Sequence, residues 1–162
     1  MKIVLKLVDY NSQSQGKDLI GLMSEYAKDP MGGRRDLSDD VKKNLVATLA
    51  KVAGAFSVIA YEDEKPVGLI NCFEGFSTFN CRPLINIHDV IVSSDYRGQG
   101  ISVLMLKKVE QIAIKRGCCK LTLEVLEKNR PAQTSYRKFE FSAYELHPEM
   151  GRALFWEKKL KP

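Results

Sequence analysis

The segment Arg97-Gly98-Gln99-Gly100 has the composition of an anion-binding turn. It follows an apolar stretch rich in Ile and Val, residues 84–92, which is typical of a buried strand. It also opens a stretch with helical periodicity, and the first N–H groups of a helix have no internal partner and lie at the positive end of its dipole. Two glycines without a Cβ let a phosphate approach the backbone closely. The segment therefore predicts a phosphate site, although it is neither a P-loop nor a G-x-G-x-x-G fingerprint.

The elements that must position this turn come from both halves of the chain. Alternating or continuous apolar runs predict strands, and apolar residues at helical spacing predict helices, with Ser38 at one helix start and Gly117 after another helix. The predicted strands lie at 2–9, 55–61, 67–73, 84–92, 120–126, 140–147 and 152–159, and the predicted helices at 19–26, 38–52, 99–116 and 129–138. Strand 120–126 follows a helical crossover, which predicts that it runs parallel to strand 84–92.

Two motifs in this order resemble those of the GNAT superfamily of N-acetyltransferases. The first, Arg/Gln-x-x-Gly-x-Gly/Ala after a strand, is matched by Arg97 to Ser102, with serine at the last position. The second, Asn-x-x-Ala-x-x-x-Tyr-x-x-x-Gly-Phe, is matched at Asn129, Ala132, Tyr136 and Phe141, with Glu140 where glycine is usual. Together they cover about residues 84–142, and on them the chain is identified as similar to this superfamily.

The resemblance implies a single domain over residues 1–162 with the α/β GNAT fold. Its mixed central sheet would have about six or seven strands with about four helices, and its two central parallel strands would splay apart. A local disruption such as a bulge would free backbone groups on the segment Val90–Val92. It also implies acetyl-CoA as cosubstrate, without a metal, and direct attack by a primary amine in a ternary complex. The implied cofactor contacts are Val90, Ile91 and Val92 for the pantetheine arm, Arg97, Gly98, Gln99, Gly100, Ile101 and Ser102 for the pyrophosphate, and Asn129 and Tyr136 across the cleft. Tyr136 would also be the general acid for the thiolate.

The group that takes the proton from the amine is left open by the residues. Glu124 is the first choice, because it lies on the face of strand 120–126 opposite the leucines. Asp89 and His88 in the preceding strand are the next candidates, although each also fits a hydrogen-bonded core side chain. A water without a dedicated residue is the remaining alternative.

The acceptor is the part of the reaction that the sequence defines least. Arg34, Phe76, Phe79 and His88 are candidates for contact with it, on predicted loops and on the strand before the glycine turn. Solvated arginines and a packed aromatic loop explain the first three equally well. A small-molecule amine, a polyamine, an aminoglycoside and a protein amino group all stay open as acceptors.

Composition restricts the classes of function. The chain has 162 residues and a formal net charge of +5, which favours a polyanionic cofactor, but its basic residues form no array typical of nucleic-acid binding. Four cysteines without a C-x-x-C pair and two histidines predict no metal site. We expect a cytoplasmic protein, monomer or homodimer, with no membrane or nucleic-acid partner. The alternative function is a non-catalytic acyl-CoA sensor that uses the same turn.

Overall fold

The computed structural model describes residues 2–160; Met1, Lys161 and Pro162 of the predicted domain lie outside that range. Its strands form one mixed sheet in the order β1-β2-β3-β4-β5, with the last pair parallel and the others antiparallel. The strands are β1 (Ile3–Leu7), β2 (Phe56–Glu62), β3 (Lys65–Ser77), β4 (Arg82–Val92) and β5 (Leu121–Leu123). The helices are α1 (Gln13–Lys28), α2 (Asp39–Leu49), α3 (Ile101–Lys115) and α4 (Arg130–Lys138).

Helices cover both faces of the sheet, which explains why β2 and much of β3 are apolar without alternation. On one face Ile70 and Ile87 pack with Met105 and Val109 of α3. On the other face Leu69 and Ile91 pack with Leu19 and Leu22 of α1 and Leu49 of α2. Among residues 2–160, no helix combines the length and the apolar character that a membrane span requires.

Serine caps set where the first two helices begin. The Ser12 hydroxyl accepts from Gln15 N–H, so α1 begins at Gln13, six residues before Leu19, the first apolar residue from which this helix was predicted. The Ser38 hydroxyl accepts from Val41 N–H, and α2 begins where the sequence predicted it. Both caps satisfy N–H groups that would otherwise have no partner in the first turn.

The prediction of two closing strands over residues 140–147 and 152–159 is wrong. The described sheet ends at β5 and has five strands, not six or seven. Within 141–160 the structure describes one short turn, Pro148–Met150, and a backbone contact of 3.3 Å from Ala153 N to the Tyr144 carbonyl. Apolar alternation indicates that a segment can form a strand, but it does not show that a partner strand is present. Strand β5 is also shorter than predicted, since it spans only Leu121–Leu123 and not residues 120–126.

Candidate active site

A bulge interrupts β4 at His88. Asn71 of β3 pairs with Asp89 while the next residue, Cys72, pairs with Ile87, so His88 is the extra residue. The parallel pairing with β5 also stops at Ile87, opposite Leu123. Beyond this point, residues 89–92 keep their β3 partners on one side and have no partner strand within residues 2–160 on the other. The pairing pattern therefore frees backbone groups along this edge of β4.

The turn after β4 presents a run of backbone donors. Arg97 N–H bonds to the Ser94 carbonyl, and the first bond of α3 runs from Leu104 N–H to the Gly100 carbonyl. Between them, the N–H groups of residues 98–103 have no hydrogen-bond partner in the described part of the chain. Gly98 and Gly100 take left-handed φ values of 77° and 79°, which an L side chain adopts only with strain. These donors surround the positive end of α3, a geometry suited to an anion.

The last turns of α1 hold this turn in place. The guanidinium of Arg97 donates to Asp29 Oδ2 at 2.8 Å and, through Nε, to the Val92 carbonyl at 3.1 Å. Glu25 accepts from Ser93 Oγ at 2.8 Å and from Ser94 N–H at 3.2 Å. The Met31 N–H and the Arg97 guanidinium hold the pKa of Asp29 below its usual range. Arg97 therefore uses its backbone N–H and two of its guanidinium donors within the chain, whereas the backbone N–H groups of residues 98–103 have no partner among the described residues.

The other side of the cleft is formed by α4. Asn129 caps this helix, because its Oδ1 accepts from Ala132 N–H at 3.3 Å. Tyr136 is 9% exposed, and its ring meets Phe141 edge-on, with ring centroids 6.0 Å apart. Burial, with a smaller contribution from Tyr26, raises the pKa of Tyr136 to about 12. Ser102, at the motif's usual Gly or Ala position, joins α3 to α4 through a 3.1 Å contact with the Ser135 hydroxyl.

The bulge directs two titratable side chains to the same face of the sheet. The His88 ring meets the edge of Phe73 at a centroid distance of 5.5 Å, and Phe73 belongs to the cluster packed against α1 and α2. Asp89 is half-buried, and its Oδ2 accepts from Asn71 Nδ2 at 2.9 Å. Asn71 in turn contacts Met23 of α1. The structure thus brings together His88 and Asp89 beside the freed edge of β4.

The remaining predicted residues are spread more widely. Glu124 follows Leu123, the last residue of β5, so it lies near the level of the bulge with an exposed side chain. Phe76 pairs with Pro83, and Pro83 precedes Asp89 by about 20 Å along the strand. Phe79 is fully exposed in the turn beyond. Arg34 is exposed in the loop after α1, where its N–H bonds to the Asp29 carbonyl. Phe76 and Phe79 are therefore not brought to the cleft.

The Acetyltransferase (GNAT) family model matches residues 19–141, a range that contains β4, the glycine turn and Tyr136. The chain belongs to the GNAT acetyltransferase family. The identification made from two motifs is thereby confirmed, and the match also covers α2 and α1 from residue 19 onward, where the sequence offered only an order of elements.

Two curated relatives match over part of their length. Thialysine N-epsilon-acetyltransferase of Bos taurus is 40% identical over 62 residues, 38% of this chain and 36% of that protein. An uncharacterized N-acetyltransferase of Methanocaldococcus jannaschii is 32% identical over 83 residues, 51% of this chain and 37% of that protein. This chain thus spans little more than a third of the length of the two relatives.

Solved structures share the fold over almost the whole chain. An aminoglycoside acetyltransferase from an uncultured soil metagenomic sample, in complex with sisomicin, matches with a TM-score of 0.79 at 17% identity, covering 98% of this chain and 97% of that one. AAC(6')-Iy, in complex with the bisubstrate analogue CoA-S-monomethyl-acetylneamine, matches with a TM-score of 0.77 at 15% identity, covering 99% and 100%. At these identities the likeness establishes the GNAT fold and not the acceptor.

Sequence reasoning did not single out Glu25, Asp29 or Asn71. The two carboxylates lie next to the turn only because α1 folds against it, and no local pattern signals this. Asn71 did carry a signal, since an amide within the apolar run of residues 67–73 requires a buried partner.

Proposed function

We propose that the protein is an acetyl-CoA-dependent N-acetyltransferase that acetylates a primary amine while both substrates are bound. One observation carries this proposal: the freed edge of β4 leads directly into the N–H groups of residues 98–103. A strand edge can pair with an amide-bearing arm, and a run of helix N-terminal donors can bind a diphosphate. Coenzyme A carries both groups.

The residues of the cleft fit this cosubstrate. A Cβ built on Gly98 or Gly100 would meet no atom within 4 Å, so both glycines border open space in which a phosphate can lie. Val90, Ile91 and Val92 would bind the arm through the freed edge of β4, and Asn129 Nδ2 would approach it from α4. Acetyl-CoA, when bound, supplies the acetyl group as a thioester. The protein contributes chiefly by holding the amine and this group in contact.

On the acceptor side, we propose that Asp89 is the group that removes the proton from the amine. A primary amine is an ammonium ion at neutral pH, so a carboxylate both attracts it and receives its proton, directly or through a water. Asp89 is favoured over Glu124 because Asn71 fixes its carboxylate, whereas Glu124 has no hydrogen bond or ion pair to a described residue. His88 beside it is the second candidate.

Tyr136 is proposed as the proton donor to the sulfur. Because burial raises its pKa to about 12, its hydroxyl keeps its proton throughout the neutral range. That hydroxyl makes no hydrogen bond within residues 2–160, and no buried side-chain polar atom there lacks a partner, so it borders open space. The protonated hydroxyl can therefore hydrogen-bond to the sulfur and give its proton to the leaving thiolate. Because the raised pKa makes Tyr136 a weaker acid, this donation depends on close contact between Oη and the sulfur.

The experiment combines binding and turnover. Calorimetry with acetyl-CoA tests the cofactor site, and a thiol-release assay over lysine, thialysine, polyamines and aminoglycosides tests the reaction. The panel follows a relative named for thialysine and fold neighbours named for aminoglycosides. Amine-dependent release supports the enzyme, whereas binding without release for any amine supports the sensor. Failure of the folded protein to bind acetyl-CoA would overturn both. Comparison of D89N, H88Q and E124Q then identifies the proton acceptor.

A further inference from the structure

A chain of polar side chains crosses the otherwise apolar sheet and ends at Asp89. The Tyr10 hydroxyl lies 2.8 Å from Ser57 Oγ, Ser57 Oγ donates to Asn71 Oδ1 at 2.6 Å, and Asn71 Nδ2 donates to Asp89 Oδ2 at 2.9 Å. Ser57 is 0% and Asn71 4% exposed. Burial of such groups is unfavourable unless each is hydrogen-bonded, so their presence here calls for a role.

The hydrogen bonds of this chain all point toward Asp89. Ser57 has one hydroxyl hydrogen and uses it on Asn71, so the Tyr10 hydroxyl must be the donor to Ser57. With Oδ1 accepting, the Asn71 amide presents its NH2 group to two acceptors, Asp89 Oδ2 and Met23 Sδ at 3.3 Å. A flipped amide would place its oxygen against the Asp89 carboxylate, which is repulsive because neither group has a hydrogen to donate. The network therefore fixes the orientation of the amide.

We propose that Asn71 is a positioning residue, which holds Oδ2 of Asp89 so that Oδ1 faces the acceptor. The inference rests on the proposed function and deepens it. Oδ1 receives no hydrogen bond within residues 2–160, so it is the oxygen available to an ammonium ion. Asn71 Oδ1 already accepts the hydroxyl hydrogen of Ser57. Since an amide does not pass protons on, a proton on Asp89 cannot move through Asn71 to Ser57. A proton taken by Asp89 can therefore leave only toward the cleft.

A double-mutant cycle of Asn71→Ala and Asp89→Asn tests this with the full-length protein. Loss of a hydrogen bond to a charged group predicts a fall in kcat of about 10- to 100-fold for N71A, with the Kd for acetyl-CoA unchanged. In the D89N background the same substitution should cost nothing further, because its effect acts through the carboxylate. Asn86→Ala is the matched control: it removes a partly buried amide of the same sheet that donates to Thr122 Oγ1 and not to Asp89, and its kcat should stay at the wild-type value.

The outcomes separate the two proposals. Equal losses from N71A in both backgrounds would overturn the positioning role and leave the N-acetyltransferase intact. A D89N variant with wild-type kcat would refute the role of Asp89 and, with it, this inference. Absence of thiol release from the wild-type protein would overturn the function itself.

Tyr10→Phe keeps the experiment decisive should N71A fail to fold. It retains the ring and deletes only the hydroxyl at the far end of the chain. We expect a loss in kcat of about two- to threefold, at the low end of couplings within one network. That loss should disappear in the D89N background; its persistence there would also count against the positioning role.

Discussion

The substitution Gly100→Ala should weaken acetyl-CoA binding strongly, although it should lower the stability of the fold only modestly. Gly100 has a φ of 79° and caps α3, where the left-handed conformation costs a non-glycine residue about 1–2 kcal/mol. A Cβ there meets no protein atom within 4 Å, so the whole stability loss is conformational. For a chain of this length, that loss corresponds to a fall in Tm of about 2–8 °C.

Gly117 provides the matched control at the other end of α3. Its φ is 72°, and a Cβ there also meets nothing within 4 Å, so Gly117→Ala carries the same conformational cost. It lies about 24 Å from the glycine turn along the helix axis. Both variants should therefore lose similar thermal stability in a denaturation experiment.

Only Gly100→Ala should change cofactor affinity. A turn that relaxes to relieve the strain redirects N–H donors, and one lost hydrogen bond to a charged phosphate raises Kd by about 10- to 100-fold. Calorimetry of both variants and wild type with acetyl-CoA measures this. Equal Kd values for Gly100→Ala and Gly117→Ala would refute the assignment of the diphosphate to this turn.

Three further predictions concern groups around the turn. Tyr136→Phe should lower kcat with little change in the Kd for acetyl-CoA; unchanged turnover would remove Tyr136 from the mechanism. Because the folded pKa of Asp29 lies below its ordinary 3.8, its stabilising contribution is complete above that value and is lost as pH falls through the folded value. Asp29→Asn should therefore lower Tm at neutral pH and flatten the acid limb of a Tm–pH curve, and an acid limb identical to wild type would contradict this. Ser102→Ala should cost about 1 kcal/mol of unfolding free energy in urea through loss of its contact with Ser135, and retain acetyl-CoA affinity; an unchanged unfolding midpoint would show that the contact contributes nothing.

Local signals were sufficient wherever a few neighbouring residues decide the structure. The glycine turn was predicted because two glycines without a Cβ stand between an apolar strand and a stretch with helical periodicity, and in the structure both take left-handed φ values directly before α3. The start of α2 was predicted from Ser38 for the same kind of reason. These features depend on the backbone preferences of adjacent residues, which the sequence records directly.

The features that the sequence did not reveal depend on contacts between distant residues. The Asp29–Arg97 and Glu25–Ser93 contacts each join residues separated by 68 positions. The resemblance implied a local disruption such as a bulge beside Val90–Val92, but no glycine or proline marks its position at His88, because the bulge arises from the pairing of β3 with β4. The prediction of closing strands over residues 140–147 and 152–159 was wrong for the opposite reason. Their apolar alternation was present in the sequence, but the described sheet offers them no strand to pair with.

One helix supports both halves of the proposed site. Glu25 and Asp29 at the end of α1 hold the turn that would bind the diphosphate, while Met23 contacts the amide that orients Asp89. Because both are attached to α1, a shift of this helix would move the anion site and the acceptor carboxylate together. Strand β4 links the same two points, since it carries the bulge and ends in the turn. Packing between α1 and β4 would thus set the distance between cofactor and acceptor, and substitutions at this contact should alter kcat before they alter either binding constant.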